Sequence, residues 1–130
     1  MFEERYRIDA LIGTGGFAKV YRATQTDLGR DVALKIMLPE EKLQHLLEDS
    51  HSTGGHRLSE RFLQEARVVA KLRDPHTVTM HDHGRSRDGL LYMVFEHIDG
   101  LPLSRLIRAH GALEPRRVAK ILRQALSSLQ

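Results

Sequence analysis

The 130 residues are 41% hydrophobic and 28% charged, enough apolar side chain for one small domain with a core and too little charge bias for a disordered chain. A formal charge of +3, with basic residues spread among acidic ones, makes no demand for nucleic acid or a membrane surface as partner. The absence of cysteine excludes disulfides, thiolate catalysis and cysteine-ligated metal centres, and there is no run of about 18 apolar residues to span a membrane. The opening MFEERYRID carries acids and no apolar core segment, so it reads as no signal peptide.

In chain order, Tyr6 to Leu11 predicts a first strand and Phe17 to Thr24 a second, turning back after Gly13, Gly15 and Gly16. These glycines predict a tight, backbone-exposing turn, because a residue without Cβ tolerates positive φ and lets a ligand approach the main chain. Thr26 to Arg30 supplies a polar turn, and Asp31 to Met37 a third strand. Strand alternation places Val32, Leu34 and Ile36 on one side and Ala33 and Lys35 on the other, which brings Lys35 beneath the glycine turn of an antiparallel meander. Pro39 closes this strand.

Glu41 to Leu47 predicts a short helix, and Asp49 to His56 has the composition of a mobile surface loop. Ser59 or a polar neighbour opens the next helix, which runs to Leu72. Leu58, Phe62, Glu65, Val69 and Leu72 recur on one helical face. An acid on an apolar stripe needs a partner, and Lys35 is the residue best placed to be it. Arg73-Asp74-Pro75 stops the helix. Thr77 to His81 then predicts a fourth strand, the segment from Asp82 to Gly89 a turn region, and Leu90 to Phe95 a fifth, almost wholly apolar strand. Asp99-Gly100 breaks it, with Asp99 suited to a turn. Leu103 to His110 predicts a short helix. Pro115 opens a last one, whose stripe of Val118, Ile121, Leu122, Ala125, Leu126 and Leu129 runs to the end.

Taken alone, a glycine-rich hairpin is more often a structural turn than a phosphate cradle. A strand lysine can likewise guard a sheet edge against aggregation. The combination carries more. No glycine-lysine-serine or glycine-lysine-threonine follows Gly13, so this is not a Walker loop, and the strand-to-helix context of a dinucleotide fingerprint is missing. Of the histidines, His51 and His56 fall in the polar segment and His81 and His83 share a strand side. Spacing requires no third ligand, so no metal site is expected.

Gly13-Thr14-Gly15-Gly16-Phe17-Ala18-Lys19-Val20, followed by Val32-Ala33-Leu34-Lys35, resembles the glycine-rich loop and third-strand lysine of eukaryotic-type protein kinases, and in particular the bacterial serine/threonine kinases. Ala18 stands where the family pattern has its third glycine. The resemblance covers essentially the whole chain and implies an α+β fold: a kinase-like small lobe over residues 1–96, with a five-stranded antiparallel sheet and an αC-type helix, then the hinge and first helices of an incomplete large lobe over 97–130. It implies ATP as ligand, with Lys35 and Glu65 as the catalytic ion pair. Ile12, Gly13, Thr14, Gly15, Gly16, Phe17, Val20, Ala33, Lys35, Phe95, Glu96 and Ile98 would be its contacts, Phe95 as gatekeeper and Glu96-His97-Ile98 as hinge. Mg²⁺ is implied for the complete kinase, although its protein ligands are not in this chain. Asp82-His83-Gly84 looks like the family's Asp-Phe-Gly triplet but precedes the hinge, which excludes that role, and neither His-Arg-Asp nor Ala-Pro-Glu occurs. The expected partners are ATP, a protein substrate where the full kinase is present, and either the remaining large lobe or a partner protein covering residues 115–130. The expected location of this segment is the cytoplasm, with membrane attachment left to any downstream segment.

Overall fold

Alternation along the strands determines where the two halves of the core lie. The computed structural model describes residues 1–39, 41 and 54–130. Within them five strands form one antiparallel sheet: β1 (Tyr6–Thr14), β2 (Ala18–Gln25), β3 (Arg30–Met37), β4 (Met80–Arg85) and β5 (Leu91–Glu96), in spatial order β1-β2-β3-β5-β4. One face of β3 and β5 contributes Val32, Leu34, Tyr92 and Val94, buried with Tyr6 and Ala23 and flanked by Phe2 and Ile36. The opposite face contributes Met37, Leu91 and Met93, buried with Ala18 and with Phe62 and Ala66 of the helix α1 (Gly54–Val69). β5 is thus apolar on both faces, as a central strand covered on both sides requires. The predicted meander is present, with Val32, Leu34 and Ile36 on the side expected.

Several boundaries differ from the sequence reading. β1 runs three residues further, to Thr14, accommodated by register shifts between Ile8 and Ala10 and between Leu11 and Gly13. β4 begins at Met80, so the segment expected as strand from Thr77 is largely loop. The cause is Asp74, whose Oδ1 accepts hydrogen bonds from the His76 amide at 2.7 Å and from His76 Nδ1 at 3.0 Å, while Thr77 N–H donates to the Asp74 carbonyl. This side-chain turn overrides the β propensity of Thr77-Val78-Thr79. Asp82-His83-Gly84, expected as turn, is strand paired with Val94, Met93 and Tyr92. A Cβ on Gly84 would stand 3.2 Å from the Tyr92 hydroxyl oxygen, so the missing side chain lets that ring lie close. The actual reversal is at Ser86 to Leu90, with Gly89 at φ +82.

α1 starts at Gly54, earlier than the polar onset near Ser59 predicted. Its buried stripe is Phe62 and Ala66, with Leu58 and Leu63 beside them, and packing of that stripe on the sheet outweighs the poor helix propensity of two leading glycines. The helix ends at Val69, not Leu72. Val69 is half-buried, Glu65 is exposed, and Leu72 is 42% exposed outside the helix. Of the loop expected at 49–56, residues 54–56 are helical; residues 49–53, including His51, and nearly all of the short helix expected at 41–47 lie outside the described residues.

The described chain divides into two compact units, residues 1–71 with 79–97, and residues 72–78 with 98–130. The first holds the sheet and α1. The second holds α2 (Leu103–His110) and α3 (Pro115–Ser128), both as predicted. Gly111, at φ +73, closes α2 by donating its N–H to the Ile107 carbonyl at 2.8 Å. In this unit Ser127 Oγ donates to Asp74 Oδ2 at 2.7 Å, and that bond, followed by the one from the His76 amide, holds the Asp74 carboxyl below its ordinary pKa. No described helix is long and apolar enough to cross a membrane.

Candidate functional site

β3 and α1 bring together the two charged residues that the sequence paired. Lys35 Nζ lies 2.7 Å from Glu65 Oε1, across 30 residues of chain, and 5.7 Å from the centre of the Phe62 ring. The lysine is there because strand alternation turns Lys35 to the α1 side, together with Met37. Glu65 is there because it sits one position before buried Ala66 and three after buried Phe62, at the margin of the face that docks. The Lys35 side chain is 25% exposed and that of Glu65 48%, so the pair opens to solvent. Its stabilising effect is correspondingly small, in the range of about 0–1 kcal/mol for exposed ion pairs.

A cleft of about 360 Å³ lies beside this pair. One wall is the turn between β1 and β2, at Gly15, Gly16 and Phe17; the floor is Lys35 and Met37; the far wall is α1, at Leu58, Arg61, Phe62 and Glu65. Gly15 N–H donates to the Ala18 carbonyl at 2.8 Å, closing the turn, and Leu38 N–H donates to the Phe17 carbonyl at 2.8 Å, tying it to the end of β3. The sequence reading drew on glycine's tolerance of positive φ for this turn. Among the described glycines positive φ is found instead at Gly29, Gly89 and Gly111. What Gly15 and Gly16 supply is space: a Cβ on Gly16 would meet nothing within 4 Å, and one on Gly15 would touch only the Ala18 carbonyl oxygen at 3.4 Å.

Of the predicted site residues, Gly15, Gly16, Phe17, Lys35 and Glu65 share this cleft. The others lie outside its lining. Gly13 and Thr14 are the last pairs of the β1–β2 ladder, opposite Val20 and Lys19, and Ile12 is half exposed. Ala33 pairs with Phe95 across β3 and β5. Glu96 is braced twice by Thr79: its N–H donates to the Thr79 carbonyl at 2.9 Å, and its Oε1 accepts the Thr79 N–H at 2.8 Å. Its amide is therefore committed. Ile98 belongs to the second unit and is 64% exposed.

Sequence reasoning missed Arg61 and did not assign Phe62 to a site. The signal for Arg61 was its spacing of one helical turn before Glu65, which puts the two on one face. The space beside the bare glycine turn, with a lysine and an arginine in its lining, fits an anionic group such as a polyphosphate. For a divalent metal the residues do not fit: no group of three or more histidine or carboxylate side chains gathers among the described residues.

A family model described as the protein kinase domain matches residues 6–130. The serine/threonine-protein kinase pkn3 of Myxococcus xanthus is 35% identical over 126 residues, covering 96% of this chain and 21% of that protein. The serine/threonine-protein kinase PknE of Mycobacterium bovis is 38% identical over 124 residues, covering 95% and 20%. PknA of Mycobacterium tuberculosis is 34% identical over 130 residues, covering 97% and 28%. The chain thus spans about a fifth of the length of the first two relatives. Among solved structures, Rad53 residues 1–466 in complex with AMP-PNP aligns with a TM-score of 0.73 at 26% identity, covering 95% of this chain and 30% of that one.

Proposed function

Because the chain belongs to the protein kinase domain family, we propose that it is the ATP-binding portion of a serine/threonine protein kinase. The observation that carries this reading is the Lys35–Glu65 ion pair at 2.7 Å beside a cleft walled by Gly15 and Gly16. In this reading the 1–96 segment is the small lobe, and 97–130 the hinge and first large-lobe helices. The turn from Gly13 to Val20 covers the phosphates, Lys35 binds the α- and β-phosphates, and Glu65 holds Lys35 in place. Ile12, Val20, Ala33 and Phe95 offer apolar contact to the adenine, and Glu96 and Ile98 offer backbone groups to its edge. Such a segment works in the cytoplasm.

When complete, the kinase transfers the ATP γ-phosphoryl group to a protein hydroxyl. That step needs an aspartate to orient the hydroxyl and an asparagine and aspartate to hold Mg²⁺. None of the three is identifiable in these 130 residues, which contain no His-Arg-Asp and no Asp-Phe-Gly. The 130-residue chain by itself is accordingly proposed to have no turnover; Mg²⁺-dependent phosphorylation of a protein substrate, abolished by Lys35→Met, would contradict this. A second reading, a non-catalytic interaction module, draws on α3, where Leu122 is 55% and Leu126 61% exposed.

Calorimetric titration with ATP separates the two. Saturable binding that Lys35→Ala weakens at least about tenfold, the scale of a lost charge-assisted contact, supports the nucleotide lobe. Absence of binding, or binding that ignores Lys35→Ala, counts against it.

A further inference from the structure

The modest charge of the whole chain conceals a local surplus in its last two helices. Residues 98–130 carry six arginines and lysines against two acids, Asp99 and Glu114, a surplus larger than the +3 of the entire chain. α3 concentrates it. Arg116, Lys120 and Arg123 fall at spacings of four and three, so they form one row on the helix, about 10 Å long along its axis. All three are exposed, as is Arg117. The apolar residues Val118, Leu122 and Leu126 fall on the opposite side.

Nothing within the helix favours this row. Cations three and four residues apart repel one another, and Arg116 and Arg117 sit in the first turn, at the positive end of the helix dipole, where acids are the stabilising choice. No acid occupies that turn and no basic residue the last one. Glu114, at the N-cap, makes no side-chain cap hydrogen bond. Among the described residues no ion pair is made by Arg116, Arg117, Lys120 or Arg123. Asp74, which reaches Ser127 one turn beyond Arg123, has its carboxylate taken up by Ser127 and His76. An anionic partner accounts for such a row, because its charges offset both the mutual repulsion and the unfavourable dipole.

We propose that the Arg116, Lys120 and Arg123 face of α3 docks an acidic segment of a partner protein. The chemistry favours polypeptide over other polyanions. Residues 98–130 contain no Phe, Tyr or Trp, so they lack the rings that stack on nucleic-acid bases or anchor a helix at a membrane interface. Carboxylates three and four residues apart on a partner helix repeat with the same axial rise as the cations, so the two rows pair charge for charge. This surface is separate from the glycine-turn cleft, and the proposal does not rest on nucleotide binding.

The test is fluorescence anisotropy of the full chain, at low ionic strength, with a labelled alanine-based peptide carrying glutamates at the same spacings of four and three. A glutamine version of the peptide, a random-sequence DNA duplex and phosphatidylserine–phosphatidylcholine vesicles are measured alongside. The glutamate peptide is expected to bind saturably and the glutamine peptide not. The triple variant Arg116→Ala, Lys120→Ala, Arg123→Ala weakens that binding at least about tenfold, and Lys120→Ala alone about threefold. The control Arg57→Ala, Arg67→Ala, Lys71→Ala removes the same charge from exposed positions of the other unit and costs less than about twofold. The row is exposed and self-repelling, so the α3 variants should melt no lower than wild type, and Lys120→Ala keeps the test decisive whatever the fold of the triple variant. Saturating ATP should leave peptide binding unchanged. No binding of the glutamate peptide, equal losses in the two triple variants, or displacement by ATP overturns the proposal. Tighter binding of the duplex or the vesicles, lost in the α3 triple variant, overturns it in favour of nucleic acid or a membrane surface.

Discussion

Lys35 and Tyr6 show how differently two polar side chains serve this fold. Lys35 reaches a half-exposed partner and is worth little to stability, so its presence is explained by what it can bind. Tyr6 is only 1% exposed, and its hydroxyl donates to Asp82 Oδ2 at 3.3 Å, while Arg5 Nη1 approaches the same oxygen at 3.1 Å. Burial, reinforced by the Asp82 charge, pushes the Tyr6 phenol from 10.0 up to about 12. A phenol raised in the folded state keeps its proton after the unfolded chain has lost its own. The stability it confers is thus complete below pH 10 and lost as pH rises toward about 12. Denaturation midpoints measured across that window should fall for the wild type and fall less for Tyr6→Phe. Equal slopes for the two proteins would show that Tyr6 does not carry the effect.

At the scale of elements, α1 is held to the sheet through Phe62 and Ala66, and it is this docking that sets Glu65 opposite Lys35. Phe62→Ala should therefore cost about 3–5 kcal/mol of stability, as large-to-small core changes do, and weaken ATP binding even in the fraction that stays folded. Chemical denaturation together with nucleotide titration checks both; a loss under about 1 kcal/mol would show that α1 docks by other contacts. How far each element was legible in the sequence follows from what decides it. α2 and α3 were legible because Pro102, Gly111 and Pro115 punctuate the chain locally. The Lys35–Glu65 pair was legible because the strand period puts Lys35 on an otherwise apolar face and the helix period puts Glu65 at the edge of the apolar stripe. β4 was misplaced because the Asp74 carboxylate captures the His76 amide, a hydrogen bond that residue propensity does not register. The start of α1 was misplaced because its leading glycines are tolerated through packing elsewhere along the helix. Arg61 was missed because membership of a cleft depends on three separate elements meeting.

For the molecule as a whole, one unit carries the sheet, α1 and the cleft, and the other carries α2 and α3, neither of which buries a residue fully. The Lys35–Glu65 ion pair and the cleft beside it, where the proposed function would seat a nucleotide's phosphates, lie within the first unit. The most direct test is residue-resolved: two-dimensional amide NMR of the labelled chain, titrated with ATP. The account predicts saturable shifts concentrated at Gly15, Gly16, Phe17, Lys35 and Glu65, and their loss in Lys35→Ala while the rest of the spectrum keeps its dispersion. Shifts confined to other surfaces, or none at ATP concentrations that saturate kinase-like sites, would contradict it.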